Sequence, residues 1–236
     1  MSTTTINAGK QTAAQSGTKS SWSAARNATS SAIHINYTTI QSNNTSAIRE
    51  LYSSGPKGGA YRLNRAFFFF DTSTITDTIT AIDLKIQGAT NGGYNTRVAK
   101  STAFGGGGGS AYVNTDFDGW TTANGSNPTP YNASNHVWST STNTITLNST
   151  AISDANTNNY LNLVVVGGSF DYTDTEMLLP QDLRGGIQFA STTVFPQLFI
   201  THSAPSYGND IIGLPNSKYT KVIDVSKSDI SEIIGV

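Results

Sequence analysis

The side chains able to do acid–base, nucleophilic or metal chemistry are few and scattered. The three histidines, His34, His136 and His202, stand far apart, and the only glutamates are Glu50, Glu176 and Glu232. No His-Glu-X-X-His, no Gly-X-Ser-X-Gly and no spaced ligand set is present. A glycosidase needs two carboxylates facing each other across a cleft, yet acidic residues gather only at Asp116/Asp118 and at Asp171/Asp174/Glu176. Oxygen-rich loops of this kind are weak candidates for a structural Ca²⁺, solvated loop carboxylates being the plainer expectation. Tyr112, Trp120, Tyr131 and Trp138 lie in or beside long polar stretches. Exposed rings there would stack on sugars; packing inside the fold is the commoner use of any one of them. The chemistry on offer is binding rather than catalysis, so a non-enzymatic protein without a cofactor is expected.

Composition narrows the partners. Of 236 residues only 12% are charged, and the net charge is −1. No basic patch is available to neutralise phosphates, which argues against nucleic acid. There is no cysteine, hence no disulfide, thiolate metal site or cysteine nucleophile. The opening Met1-Ser2-Thr3-Thr4-Thr5-Ile6 has neither a charged nor an apolar leader region, and no window is long and apolar enough to span a membrane. The expectation is a protein made in a cytoplasm and released by another route, such as host lysis.

The elements that must position these side chains read as strands. Ile33, Ile35 and Tyr37 alternate with His34, Asn36 and Thr38, and Ile82, Leu84 and Ile86 alternate with Asp83, Lys85 and Gln87, which is the period of half-buried strands. Phe67, Phe68, Phe69 and Phe70 are consecutive. Successive strand residues point to opposite faces, so this strand must be central and covered on both sides. Residues 160–166 form a second buried run, and 47–52, 97–100, 137–138, 144–147, 183–189 and 195–202 complete the set of short strands. Pro196 belongs at the start of its strand or on an edge. Ser149 or Thr150 would cap a single helical turn. The glycines at 105–109 predict a loop that is mobile or pressed against a neighbouring chain. Ser110-Ala111-Tyr112-Val113 follows them, where a phosphate-cradling loop would have Lys-Ser/Thr. The pattern predicts an all-β fold, a two-sheet antiparallel β-sandwich of jelly-roll type. Residues 1–20 form an N-terminal arm or an edge strand leading in, 21–203 the sandwich and 204–236 a C-terminal tail.

Four segments carry a family resemblance. Residues 22–28 (Trp-Ser-Ala-Ala-Arg-Asn-Ala), 65–75 (Arg-Ala-Phe-Phe-Phe-Phe-Asp-Thr-Ser-Thr-Ile), 79–86 (Ile-Thr-Ala-Ile-Asp-Leu-Lys-Ile) and 195–201 (Phe-Pro-Gln-Leu-Phe-Ile-Thr) together resemble DNRLRE-type jelly-roll domains. Such domains occur in bacterial surface proteins and in virion proteins of tailed bacteriophages. The resemblance implies the sandwich, and it brings no catalytic residues.

The tail differs from the rest. Ile211-Ile212-Gly213-Leu214, Val222-Ile223-Asp224-Val225 and Ile233-Ile234-Gly235-Val236 share one form at a spacing of 11 residues. Pro215, the β-branched residues and the glycines disfavour a helix. The reading is an extended segment whose nine aliphatic residues, Ile211, Ile212, Leu214, Val222, Ile223, Val225, Ile233, Ile234 and Val236, dock as three equivalent pegs on a repeated surface. Folding back on its own domain is the bland alternative. Tandem tails of this kind resemble the C-termini of phage virion proteins. The expected function is thus a virion structural protein, a head fibre, decoration or tail-associated protein. Its expected partners are other virion proteins and copies of itself, plausibly as a trimer. The alternative is a carbohydrate-binding module for adhesion to a host or cell surface.

Overall fold

Phe67, Phe68, Phe69 and Phe70 lie in a strand of 14 residues whose side chains feed two separate apolar cores. The computed structural model describes residues 1–37, 42–55, 58–89, 93–120, 128–189 and 196–203. In chain order the described strands are β1 (Ser2–Asn7), β2 (Lys10–Gln15), β3 (Ile33–Asn36), β4 (Ser42–Gly55), β5 (Gly58–Asp71), β6 (Thr78–Gln87), β7 (Asn95–Lys100), β8 (His136–Val137), β9 (Thr142–Thr146), β10 (Tyr160–Gly167), β11 (Gln181–Phe189) and β12 (Gln197–Ser203). Two helices, α1 (Trp22–Arg26) and α2 (Ser149–Asn158), and a 3₁₀ turn, Asn114–Asp118, accompany them. The fold is an all-β sandwich of two antiparallel sheets. One sheet has the order β1-β12-β6-β9; the other runs β11-β4-β5-β10-β7-β8, with β2 against β5 and β3 against β2.

Strand β5 is the hub of the larger sheet. Tyr61, Asn64 and Phe69 each pair on two sides. It follows that β2 and Lys19 hold one edge of β5, while β4 and β10 divide the other between its two halves. On the inner face, Ala66, Phe68 and Phe70 join Leu161, Leu163 and Val165 of β10 and meet Ile82, Leu84, Ile86, Leu198 and Ile200 of the smaller sheet. On the outer face, Leu63 and Phe67 join Val164 and Val166 beneath Trp22, Phe104, Phe117 and Trp120. The smaller sheet is buried on one face only. In β6, Ile82, Leu84 and Ile86 are inside while Ala81, Asp83 and Lys85 face out, the alternation expected of a one-sided strand.

Several expectations change. Of the two readings of residues 1–20, the edge strand holds and the arm does not: β1 is an edge strand of the smaller sheet and β2 a member of the larger. Polar Thr, Ser and Gln suit an edge, where one face and one side meet water. Helix α2 has ten residues, and its cap is Asn148, whose side chain accepts from Ala151 N at 3.1 Å. Residues 22–26 form a short helix capped by Ser21. The glycine run packs on its own domain. Phe104, Gly105, Gly106 and Gly108 have positive φ, which only glycine adopts at little cost. Lys10 Nζ donates to Gly108 O and Ser110 O, and Asn162 Nδ2 donates to Ala103 O and Gly106 O. Pro196 directly precedes β12, as expected.

Phe68 is fully buried and stacks at 6.0 Å on Phe189, whereas Phe69 is only half-buried. Phe68→Ala should lower unfolding free energy by about 3–5 kcal/mol, and Phe69→Ala by clearly less, as measured by denaturant titration.

Candidate functional site

An arginine on an apolar strand face needs a buried acceptor, and β5 carries one. Arg65 sits between Leu63 and Phe67 on the outer face of the larger sheet and is fully buried. Its Nε and Nη2 donate to the two carboxylate oxygens of Asp171 at 2.9 and 2.8 Å. Nη2 also donates to Arg26 O at 2.9 Å, and Nη1 to Phe117 O at 3.0 Å. The guanidinium lies 4.3 Å from the Phe117 ring centre and 4.6 Å from that of Trp120, a cation–π arrangement. One side chain thereby ties β5 to α1, the 3₁₀ turn and the 168–177 segment. Arg26, also fully buried, donates from Nε to Asp171 O at 2.9 Å and pairs with Asp174 at 3.3 Å.

Glu50 of β4 lies beside this group. Its Oε1 accepts from the backbone N–H groups of Phe170 and Asp171 at 2.9 and 2.6 Å. Burial, with the Asp171 carboxylate adding to it, pushes the Glu50 carboxyl up to about 8 against the pull of those donors. Glu50 and the phenol of Tyr94 both press on Gly167. A methyl group there would fall 2.1 Å from the Glu50 carboxyl and 2.1 Å from Tyr94 Oη, so close approach demands glycine.

These contacts decide the fate of the sequence candidates. Tyr112, Trp120, Tyr131 and Trp138 are all buried, between 1% and 4% exposed, and none offers a free ring face for a sugar. Tyr112 packs on Phe67 and Phe104, and Trp120 covers Arg65. Trp138 sits between the sheets, with Nε1 donating to Gly186 O at 3.1 Å. Tyr131 is anchored by its hydroxyl, which donates to Asp154 Oδ2 at 2.7 Å. The long polar stretches are lids over apolar strands, so their aromatics turn inward. Asp171, Asp174 and Glu176 do not converge on a cation either. Asp171 serves Arg65, Asp174 accepts from Trp22 Nε1 at 3.1 Å, and Glu176 accepts from Tyr61 Oη at 2.7 Å. Among the described residues no group of three or more potential ligands forms a metal site. The histidines are apart: His34 meets Asn114, His136 meets Asn143, and His202 meets Asp77 and Thr4. The nine aliphatic residues of the tail lie outside the described residues.

A polar pocket that was not foreseen opens where the glycine loop, α2, β7 and β10 meet. It is lined by Lys100, Ser101, Thr102, Gly106, Tyr131, Asp154, Asn158, Tyr160 and Asn162 and holds about 130 Å³. Lys100, Thr102 and Asn158 are exposed at its mouth; Ser101, Tyr131 and Asn162 are buried at its floor. Lys100 Nζ and Tyr131 Oη both donate to Asp154 Oδ2, at 2.9 and 2.7 Å. The sequence carried one signal for it, an asparagine interrupting the apolar run 160–166.

Compared with protein-family models the chain matches none, and the curated proteins contain no detectable relative. Among the described residues no helix is long and apolar enough to cross a membrane.

Removing one partner of a buried pair leaves the other charge unpaired. Arg65→Ala should therefore cost about 3–5 kcal/mol in denaturant titration, with most of the loss recovered when Asp171→Ala is added. Stability should also fall as pH rises through the window between the ordinary glutamate range and about 8. The folded state holds the Glu50 proton there and the unfolded chain does not. Glu50→Gln, which keeps an acceptor for the two N–H groups, should flatten that part of a Tm-against-pH profile.

Proposed function

We propose that this chain is a non-enzymatic structural protein of a tailed-phage particle, a displayed jelly-roll sandwich anchored through its terminal segments as a head fibre, decoration or tail-associated protein. Strand order supports the jelly-roll reading. The sheet β1-β12-β6-β9 is matched by β5-β10-β7-β8. Along the chain, β1, β6, β9 and β12 fall in one sheet and β5, β7, β8 and β10 in the other. Taken in order, these eight strands change sheet at every step but β7 to β8, the winding expected of a jelly roll, with β2, β3, β4 and β11 added to the larger sheet.

The observation that carries the anchoring is the register of β1 on β12. Ser2 pairs with His202 and Asn7 with Gln197, so the start of the first strand and the end of the last lie side by side at one end of the smaller sheet. The tail that follows β12 would hold the sandwich there like a head on a stalk. The three pegs spaced by 11 residues in 211–236 fit docking on a repeated surface, where linked weak sites gain avidity. Use of the buried carboxylates Glu50 and Asp171, and of the exposed Asp174, to bind arginines and backbone N–H groups supports a non-catalytic role. Other virion proteins are the partners this reading implies, together with copies of the chain, in the simplest case a trimer. The alternative, a carbohydrate-binding module for adhesion, draws on the polar pocket rather than on the four aromatics.

Deleting residues 205–236 should abolish incorporation into the parent particle while leaving the Tm of the sandwich in place. Undiminished incorporation would overturn the docking role of the tail.

A further inference from the structure

The pocket bounded by Asp154, Tyr160 and Asn162 has unmet hydrogen-bonding capacity. Asn162 is 4% exposed, and its Oδ1 has no partner among the described residues. Its amide orientation is fixed by chemistry. Nδ2 donates to two carbonyls, Ala103 O and Gly106 O, at 2.5 and 3.2 Å, and the flipped amide would set oxygen against both. That oxygen is sealed away from the pocket, so Asn162 shapes the floor through the two bonds it donates rather than by offering an acceptor. Both protein donors to Asp154 land on Oδ2, which among the described residues leaves Oδ1 for a ligand. Ser101 Oγ accepts from Ala103 N at 3.0 Å and retains a proton to donate.

The balance of groups selects the ligand. An anion would meet the Asp154 carboxylate, and a metal cation would find that one carboxylate already paired with Lys100. A neutral polyol meets acceptor and donors together. Tyr160 is half-buried and lines the same pocket, adding an aromatic surface for C–H contact. A volume of about 130 Å³ is near that of a cavity enclosing benzene, so a bulkier pyranose would seat one side in the pocket and leave the rest at its open mouth. The glycine run has a part here as well. Gly106, with φ 77°, gives the pocket a wall without a side chain.

We infer that this pocket binds a single pyranose ring, with Asp154 accepting its hydroxyl protons and Lys100, Asn158 and Ser101 offering donors. The inference does not depend on membership of a virion. Its test is saturation-transfer NMR and titration of the full chain with free glucose, galactose, mannose and N-acetylglucosamine. The same sugars as terminal residues on a glycan array separate a free monosaccharide from a glycan end. Inorganic phosphate serves as the anion probe. Saturable binding of at least one sugar is expected. It should weaken by about tenfold or more in Asp154→Asn, which removes a charged acceptor but keeps the shape. Asn158→Trp at the exposed mouth should abolish it with Tm unchanged. No saturable sugar binding, binding unmoved by Asn158→Trp, or saturation by phosphate alone would overturn the assignment. Particle incorporation should be the same for Asn158→Trp and the parent chain, so this result and that of the tail deletion are read separately.

Discussion

The structure depends on one buried ion pair. Arg65 and Asp171 are bound through both carboxylate oxygens inside an apolar layer. Neither charge could stay there alone, because desolvation of an isolated ion exceeds what packing returns. The consequence is geometric. For Arg65 to be satisfied, the backbone carbonyls of Arg26 and Phe117 must come to it from two distant parts of the chain. For Asp171 to be in place, its own turn must dock on Glu50 through two N–H groups. The ion pair therefore sets where three irregular segments lie, which apolar contact alone would leave loosely specified.

The same constraint explains why the larger sheet has two cores. A strand with four consecutive phenylalanines buries both faces or exposes half of them to water. The smaller sheet covers the inner face; α1, the 3₁₀ turn and the 168–177 segment cover the outer one. Loops that read as polar from composition are thus lids whose few aromatics supply the contact. Trp120 and Phe117 also flank the guanidinium, so each aromatic serves packing and electrostatics at once. The acidic residues that looked like a cation site are spent in this work, with Asp174 and Glu176 on Trp22 and Tyr61. What remains open to a ligand is elsewhere, at the end of β10 where the glycine loop cannot fill the space with side chains.

On the proposed reading, anchoring and recognition separate along the molecule. The start of β1 and the end of β12 lie together at one end of the smaller sheet, and the polar pocket belongs to the larger sheet and α2. A domain held at the first and reading its surroundings at the second would need no movement to do both.

The sequence by itself determined the all-β class, the one-sided β6, the two-sided β5 and β10, and the place of Pro196 before β12. These follow from periodicity and local stereochemistry, which are carried by neighbouring residues. That Arg65 and Glu50 are buried was decided by the fold. Their partners could not be named, because Arg65 meets Asp171 across 106 positions and Glu50 meets it across 121. Only tertiary structure decided that Tyr112, Trp120, Tyr131 and Trp138 face inward, since burial of a loop aromatic depends on what lies beneath the loop. Only it chose between an arm and an edge strand for residues 1–20, because a polar edge strand has no apolar alternation to announce it. The pocket is the strongest case. Its residues come from three separate stretches of chain, and the orientation of Asn162 on its floor is set by two carbonyls at and beside the glycine loop.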